Sequence, residues 1–374
     1  MVFCCPIMSK KLKQVVTLGL MLLASFQVKA QTDWPTPEVK DMYDQARDFL
    51  SKGYLQQAII TYQHAIQLAP DKLVLYRDLG KAYYLSGNYK DAQATLEPIL
   101  KSKEADDQTY QVMASCLKAA NETKKAKSIL QRGIERFPHS GILYHDLGKI
   151  YDDDNEEVYA LQTWLDGIEN DPGYHVNYYE AARTYINTNK IVWAIIYGEI
   201  FVNIEQQTPR SNEMRKMLVD AYTKLFYNVS TDNVPKFGEV KSLDDASTFE
   251  EAVKNTLLKL SPIVSDGINT ENLTMLRTRF MMDWFAQYAA RYPFTLFTYE
   301  DDMVRNGFFD IYNEWLFAKA QNEQEYTAWN KFHEGAMTQF EAWKAQHPFK
   351  PVPEDFYNDK KVEDIFIKPK KKKE

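Results

Sequence analysis

Between residues 39 and 208, small and bulky apolar residues return every 34 positions, five times without a gap, which is the signature of a stacked two-helix repeat. The most uniform column is Ala58, Ala92, Ala126, Ala160 and Ala194. A second small column reads Ala46, Gly80, Ala114, Gly148 and Ala182, and a looser third reads Ala65, Ile99, Gly133, Gly167 and Phe201. Bulky residues fill the complementary columns Met42, Tyr76, Tyr110, Tyr144, Tyr178 and Phe49, Tyr83, Leu117, Tyr151, Tyr185. Knobs and holes therefore alternate at helical spacing. Midway through each copy stands Gly53, Gly87, Asn121, Asn155 or Asn189, the residue types that tolerate the left-handed backbone ending a helix. Pro70, Pro138 and Pro172 close three copies, where a ring without an N–H stops one helix and starts the next. Each copy is expected to be helix, tight turn, helix.

The stretch Tyr76 to Tyr89, YRDLGKAYYLSGNY, followed by Ala92, resembles a tetratricopeptide repeat. The resemblance covers 170 of 374 residues and departs from the pattern at Glu104 and Gln206, where proline is usual, and at Gly198, where a bulky residue is. It implies an all-α fold, a right-handed superhelix of helical hairpins followed by an aromatic-rich helical region. Met217, Leu218, Ala221 and Tyr222 place a capping helix at 211–228, so the array is expected over 39–228.

Residues 229–246 are polar and carry Pro235 and Gly238, which predicts a linker. A helical region over 247–347 follows. Ser247 with Glu250 has the form of a capping box opening a helix to about Ile263. Further helices are expected from Thr270 to Arg291, from Phe308 to Ala320 and from Glu325 to Gln346. Residues 280–317 hold 13 aromatics, read foremost as core packing. Residues 348–374 contain Pro348, Pro351, Pro353 and Pro369 and end in Lys370 to Lys373, which predicts a disordered basic tail.

At the N-terminus, Lys10, Lys11 and Lys13 precede an apolar run from Val15 to Phe26, and Val28-Lys29-Ala30 offers small residues at signal-peptidase spacing. Residues 1–30 are read as a signal peptide cleaved after Ala30, which sends the chain to the periplasm or outside the cell and leaves no integral membrane span. The four lysines of that segment, unmatched by any acid, take the formal charge from −7 to −11 when removed. An acidic body of this kind argues against nucleic acid. Only Cys116 remains, so no intramolecular disulfide contributes to stability; it reads as a small buried apolar residue.

No nucleophile with a base, no metal-ligand spacing and no phosphate loop occurs, so no catalytic residue, metal or cofactor is expected. The acidic run Asp152, Asp153, Asp154, Glu156, Glu157 puts Glu157 where a calcium loop needs glycine, and reads as a solvated turn. Binding is a different matter, since equivalent positions of successive first helices form continuous stripes. One stripe reads Arg47, Lys81, Ser115, Lys149, Arg183, and one turn earlier runs Tyr43, Arg77, Gln111, His145, Tyr179. The family resemblance implies that these first helices line a concave groove. Its basic, aromatic-edged surface suits an acidic or extended peptide of a protein partner, although the same residues also fit a solvated helix face. The favoured function is an exported adaptor that binds a partner in this groove. A structural subunit of a cell-envelope assembly is the alternative, with a carbohydrate-binding protein or an enzyme behind both.

Overall fold

The structure, a computed structural model, describes residues 34–227 and 248–358. The leader at 1–30, the linker at 229–246 and the lysine-rich end lie outside the described residues. All regular elements among those described are helical, and they fall into two compact units divided after Gly87.

The first unit holds α1 (Pro37–Ser51), α2 (Leu55–Leu68) and α3 (Leu73–Leu85). Thr36 starts α1 by accepting from the Val39 amide at 3.3 Å, with Pro37 in the first turn, where its missing N–H costs nothing. Gly53 and Gly87 both take the positive φ expected of them, and the Tyr54 amide closes the first turn on the Phe49 carbonyl at 2.8 Å. Ala46, Ala58, Ala65 and Ala82 are buried together with Tyr62, Leu75 and Leu79. The alanine columns of the sequence are therefore the places where these helices touch.

The second unit opens with α4 (Tyr89–Leu100), α5 (Asp107–Ala119), α6 (Thr123–Arg136), α7 (Gly141–Asp153), α8 (Glu157–Asn170), α9 (His175–Tyr185) and α10 (Ile191–Ile204). Second helices begin at Leu55, Tyr89, Thr123, Glu157 and Ile191, each 34 residues after the last, and the first helices α3, α5, α7 and α9 keep the same step. Asn121 and Asn155 adopt positive φ, whereas Asn189 does not. The fifth turn is built on a side chain instead: the Thr188 hydroxyl donates to the Tyr185 carbonyl at 2.8 Å and accepts from the Lys190 amide at 3.1 Å.

Gly148 shows why the small column exists. A Cβ there would stand 2.2 Å from Nε1 and 2.6 Å from Cδ1 of Trp164, an indole that is buried and donates to the His145 carbonyl at 3.3 Å. Gly148→Ala is accordingly expected to lower stability by about 1–3 kcal/mol through overpacking, read as a fall in the urea midpoint. An unchanged midpoint would mean that Trp164 has a second seat.

Copy five departs from the repeat pattern for a visible reason. Every residue of α10 except Ile204 is buried, because α11 (Pro209–Tyr227) covers one side and the C-terminal helices the other. At Gly198 an added Cβ would meet Met214 and Leu218 of α11 within 3.0 Å, so the bulky residue usual in the family has no room.

The C-terminal helices are α12 (Phe249–Lys259), α13 (Thr270–Gln287), α14 (Thr295–Arg305), α15 (Phe309–Asn313), α16 (Lys319–Gln321), α17 (Glu323–Phe332) and α18 (Glu334–Gln346), with a π turn at Glu314–Ala318 between α15 and α16. Several expectations change here. Thr248 caps α12, accepting from the Glu251 amide at 3.2 Å, and Ser247 lies outside the described residues. Glu250 instead reaches Lys190 at 2.7 Å and Trp193 Nε1 at 3.2 Å. Helix α14 was not foreseen. The single helix expected from Glu325 to Gln346 breaks at His333, which returns Phe340 and Trp343 onto Tyr312, Trp315 and Phe308. The aromatic belt is core for Trp284, Tyr288 and Tyr312, but Phe285 is exposed and Trp315 only half-buried.

The start of the expected tail is also corrected: residues 348–358 are packed. Phe349 is buried against Tyr299, Asp355 caps α14 by accepting from the Thr295 amide at 2.8 Å, and Tyr357 stacks on Phe249. Asn358 donates to the hydroxyls of Tyr185 and Tyr197. Prolines suggested disorder, but the rings between them find apolar seats.

Candidate functional site

The two stripes occupy the first helices as expected, and each unit assembles its own part of them. In the first unit Tyr43 and Arg47 stand on α1, with the guanidinium 5.6 Å from the ring centre. Arg77 and Lys81 stand on α3. Arg77 donates to Asp78 at 2.8 Å, and burial followed by the neighbouring Asp78 raises the Tyr43 hydroxyl to about 12. Arg47 and Lys81 are exposed and form no ion pair among the described residues. This is a cationic edge open to solvent.

In the second unit His145, Lys149, Tyr179 and Arg183 are brought together, whereas Gln111 stands apart on α5. Their centre is Glu180, a buried acid that lies outside both predicted stripes. Arg183 donates to it at 2.9 Å, and His145 Nε2 lies 3.8 Å away while its Nδ1 is 2.9 Å from Asp146. Burial raises the Glu180 carboxyl, but His145, Lys149 and Arg183 outweigh that and hold it below the ordinary range. Lys149 also bonds Asp152 at 2.7 Å. Tyr179 is buried and donates to Glu213 at 2.8 Å. Beside it Arg210 makes two bonds to Glu205, which also takes His175 at 2.7 Å.

The basic stripe is thus answered from within. A signal for this was present, because one residue after the Tyr43 column lies another at the same period: Asp44, Asp78, Val112, Asp146, Glu180. Four acids in five copies accompany the cations, so the stripes are mixed in charge; among the described residues the stripe cations without an ion pair are Arg47 and Lys81 of the first unit, since the half-exposed Arg183 is paired with Glu180. Among the described residues no cluster of His, Cys, Asp and Glu could hold a metal, and no helix is long and apolar enough to cross a membrane.

His145 makes the network pH-sensitive. Burial pulls against its charge, but Asp146 and Glu180 more than compensate, so its pKa is raised. A raised histidine contributes stability that is complete below its unfolded value of about 6.5 and is lost as pH rises through the folded value. His145→Gln is expected to lower the melting temperature clearly near pH 6 and progressively less at higher pH. A difference independent of pH would show that His145 acts by packing alone.

Residues 43–116 match the family model described as Tetratricopeptide repeat. Anaphase-promoting complex subunit 7 of Homo sapiens is 32% identical over 87 residues, and its Mus musculus counterpart gives the same figures. That stretch is 23% of this chain and only 15% of the length of those curated relatives. Among solved structures, YrrB, described as a TPR protein with an unusual peptide-binding site, aligns at 21% identity over 47% of this chain and 90% of its own, with a TM-score of 0.33. A tetratricopeptide repeat protein from Parabacteroides merdae aligns at 14% identity over 70% and 97%, with a TM-score of 0.36.

Proposed function

We propose that this chain, a tetratricopeptide-repeat protein and hence a protein-interaction module, is exported and grips an acidic, extended segment of a partner protein on the first helices α1 and α3 of its first unit. The observation that carries the reading is the pair Arg47 and Lys81, exposed on α1 and α3 with no internal acid to satisfy them. A carboxylate arriving there forms charge-assisted bonds without displacing an existing partner. Tyr43 beside Arg47 offers a flat neighbour for the incoming chain. The Glu180 network of the second unit is better suited to fixing α7 against α9 than to receiving an anion, since its cations are already engaged. Export rests on the lysine-flanked apolar run Val15 to Phe26 and on Val28-Lys29-Ala30.

The test is capture by crosslinking from an envelope extract. The Arg47→Glu, Lys81→Glu double variant is expected to retain its melting temperature and to lose about tenfold or more of its partner, because two charge-assisted bonds become repulsions. Undiminished capture would end the reading.

A structural-subunit role has its own support in Met275, Met282 and Phe285, exposed along one side of α13. Acidic substitutions at those three would then dissolve an assembly that the double variant leaves intact.

A further inference from the structure

Between the starts of α13 and α17 and the π turn lies a cavity of about 290 Å³, remote in sequence from the repeats. Its walls include the rings of Tyr326 and Trp329, which stack with centroids 6.3 Å apart, and the carboxylates of Glu271, Glu314 and Glu325. A mixed aromatic and polar lining of this size is that of a small-molecule or side-chain pocket. Which ligand it takes follows from which polar groups are still available.

The amide oxygens are already engaged. Asn269 Oδ1 accepts from the Asn272 amide at 2.8 Å, and Asn322 Oδ1 accepts from the amides of Gln324 and Glu325. Gln321 Oε1 accepts from the Thr270 hydroxyl at 2.7 Å. The three carboxylates, by contrast, form no ion pair among the described residues. Glu314 is half-buried, and burial raises its carboxyl, with only His333 drawing it back. A desolvated acid that has no ion-pair partner is stabilised by an arriving cation, and aromatic rings favour that cation further.

The geometry points to a binding site for an organic cation, an ammonium or guanidinium on a short carbon stem, held by Glu314, Glu325 and Glu271 with Trp329 and Tyr326 as its aromatic wall. The inference does not depend on what the repeats bind. Such a cation could be a free amine or a basic side chain of a partner peptide, and the test separates the two.

Calorimetric titration of the full chain with agmatine and, separately, with an acetylated and amidated Gly-Arg-Gly peptide is expected to give saturable binding for at least one probe. Binding should weaken when sodium chloride is raised. Agmatine alone binding identifies a free amine, and the peptide binding more tightly identifies a side chain. Glu314→Gln and Trp329→Ala should each weaken binding about tenfold, equivalent to about 1.4 kcal/mol. Should Trp329→Ala misfold, Glu325→Gln serves in its place. No saturation with either probe, equal binding by an uncharged alcohol of the same length, or full affinity in Glu314→Gln overturns the assignment.

Discussion

Replacing Arg277 with methionine is expected to cost about 3–5 kcal/mol, the range for removing one partner of a buried charge network. Arg277 is fully buried on α13 and bonds both Glu199 of α10 and Glu300 of α14 through Nη2, while Nη1 donates to Asn313 of α15 at 2.5 Å. The Tyr312 hydroxyl donates to Glu199 at 2.6 Å. Four helices thus meet on one guanidinium, and α10 is the second helix of copy five. Methionine fills much of the volume but leaves two carboxylates facing each other in an apolar interior. Urea unfolding of the variant should show the loss. The triple variant with Glu199→Gln and Glu300→Gln should recover much of it, since neutral groups of the same shape need no counter-charge. An Arg277→Met midpoint equal to that of the parent would refute the account.

Two acids and one base cannot all be charged there at equal comfort. Burial first, and the neighbouring Glu199 charge second, push the Glu300 carboxyl well above the ordinary carboxylate range, with Arg277 pulling the other way. An acid whose folded pKa is raised binds more protons folded than unfolded. Stability therefore falls as pH rises from the unfolded glutamate value of about 4.3 toward the folded one. Glu300→Gln should flatten that slope while keeping the bond to Arg277.

The repeats were legible because their information is periodic. Ala58 and its four equivalents are holes, Tyr76 and its equivalents are knobs, and the second helices start 34 residues apart as those columns require. Asn189 misled because its column predicts a backbone conformation that Thr188 makes unnecessary. The basic stripe was legible, but Glu180 belongs to the acidic column beside it, and only the packing of α7 against α9 makes it the centre of the second unit's network. The strap at 348–358 was invisible for another reason. Its partners Tyr299, Phe249, Tyr185 and Tyr197 lie tens to over a hundred residues away, and nothing in local composition announces a pairing at that distance.

Phe249→Ala is expected to be the other severe substitution, at about 3–5 kcal/mol for a fully buried ring removed to a methyl. Phe249 opens α12 and is buried at the meeting point of six rings. Trp193 of α10 stacks at 5.7 Å, Trp284 of α13 lies edge-on at 5.6 Å, and Tyr292, Phe294 and Phe297 approach from the start of α14 and the turn before it. Tyr357 of the strap stacks nearly parallel at 4.7 Å. Each aromatic pair adds about 0.5–1.5 kcal/mol beyond area burial, so truncation here loses more than one contact's worth and leaves a void that rings fixed on separate helices close only in part. Phe249→Leu keeps more of the volume but loses the ring pairs, and should cost less than Phe249→Ala. Tyr357→Ala, which removes only the strap's ring and its bond to the Pro293 carbonyl, should fall between the two. If the strap is held chiefly through this cluster, limited proteolysis between Phe349 and Asn358 will accelerate in Phe249→Ala and Tyr357→Ala alike, with α12 still helical in the latter. Rapid cleavage of the strap in the parent protein would instead show that these rings do not hold it.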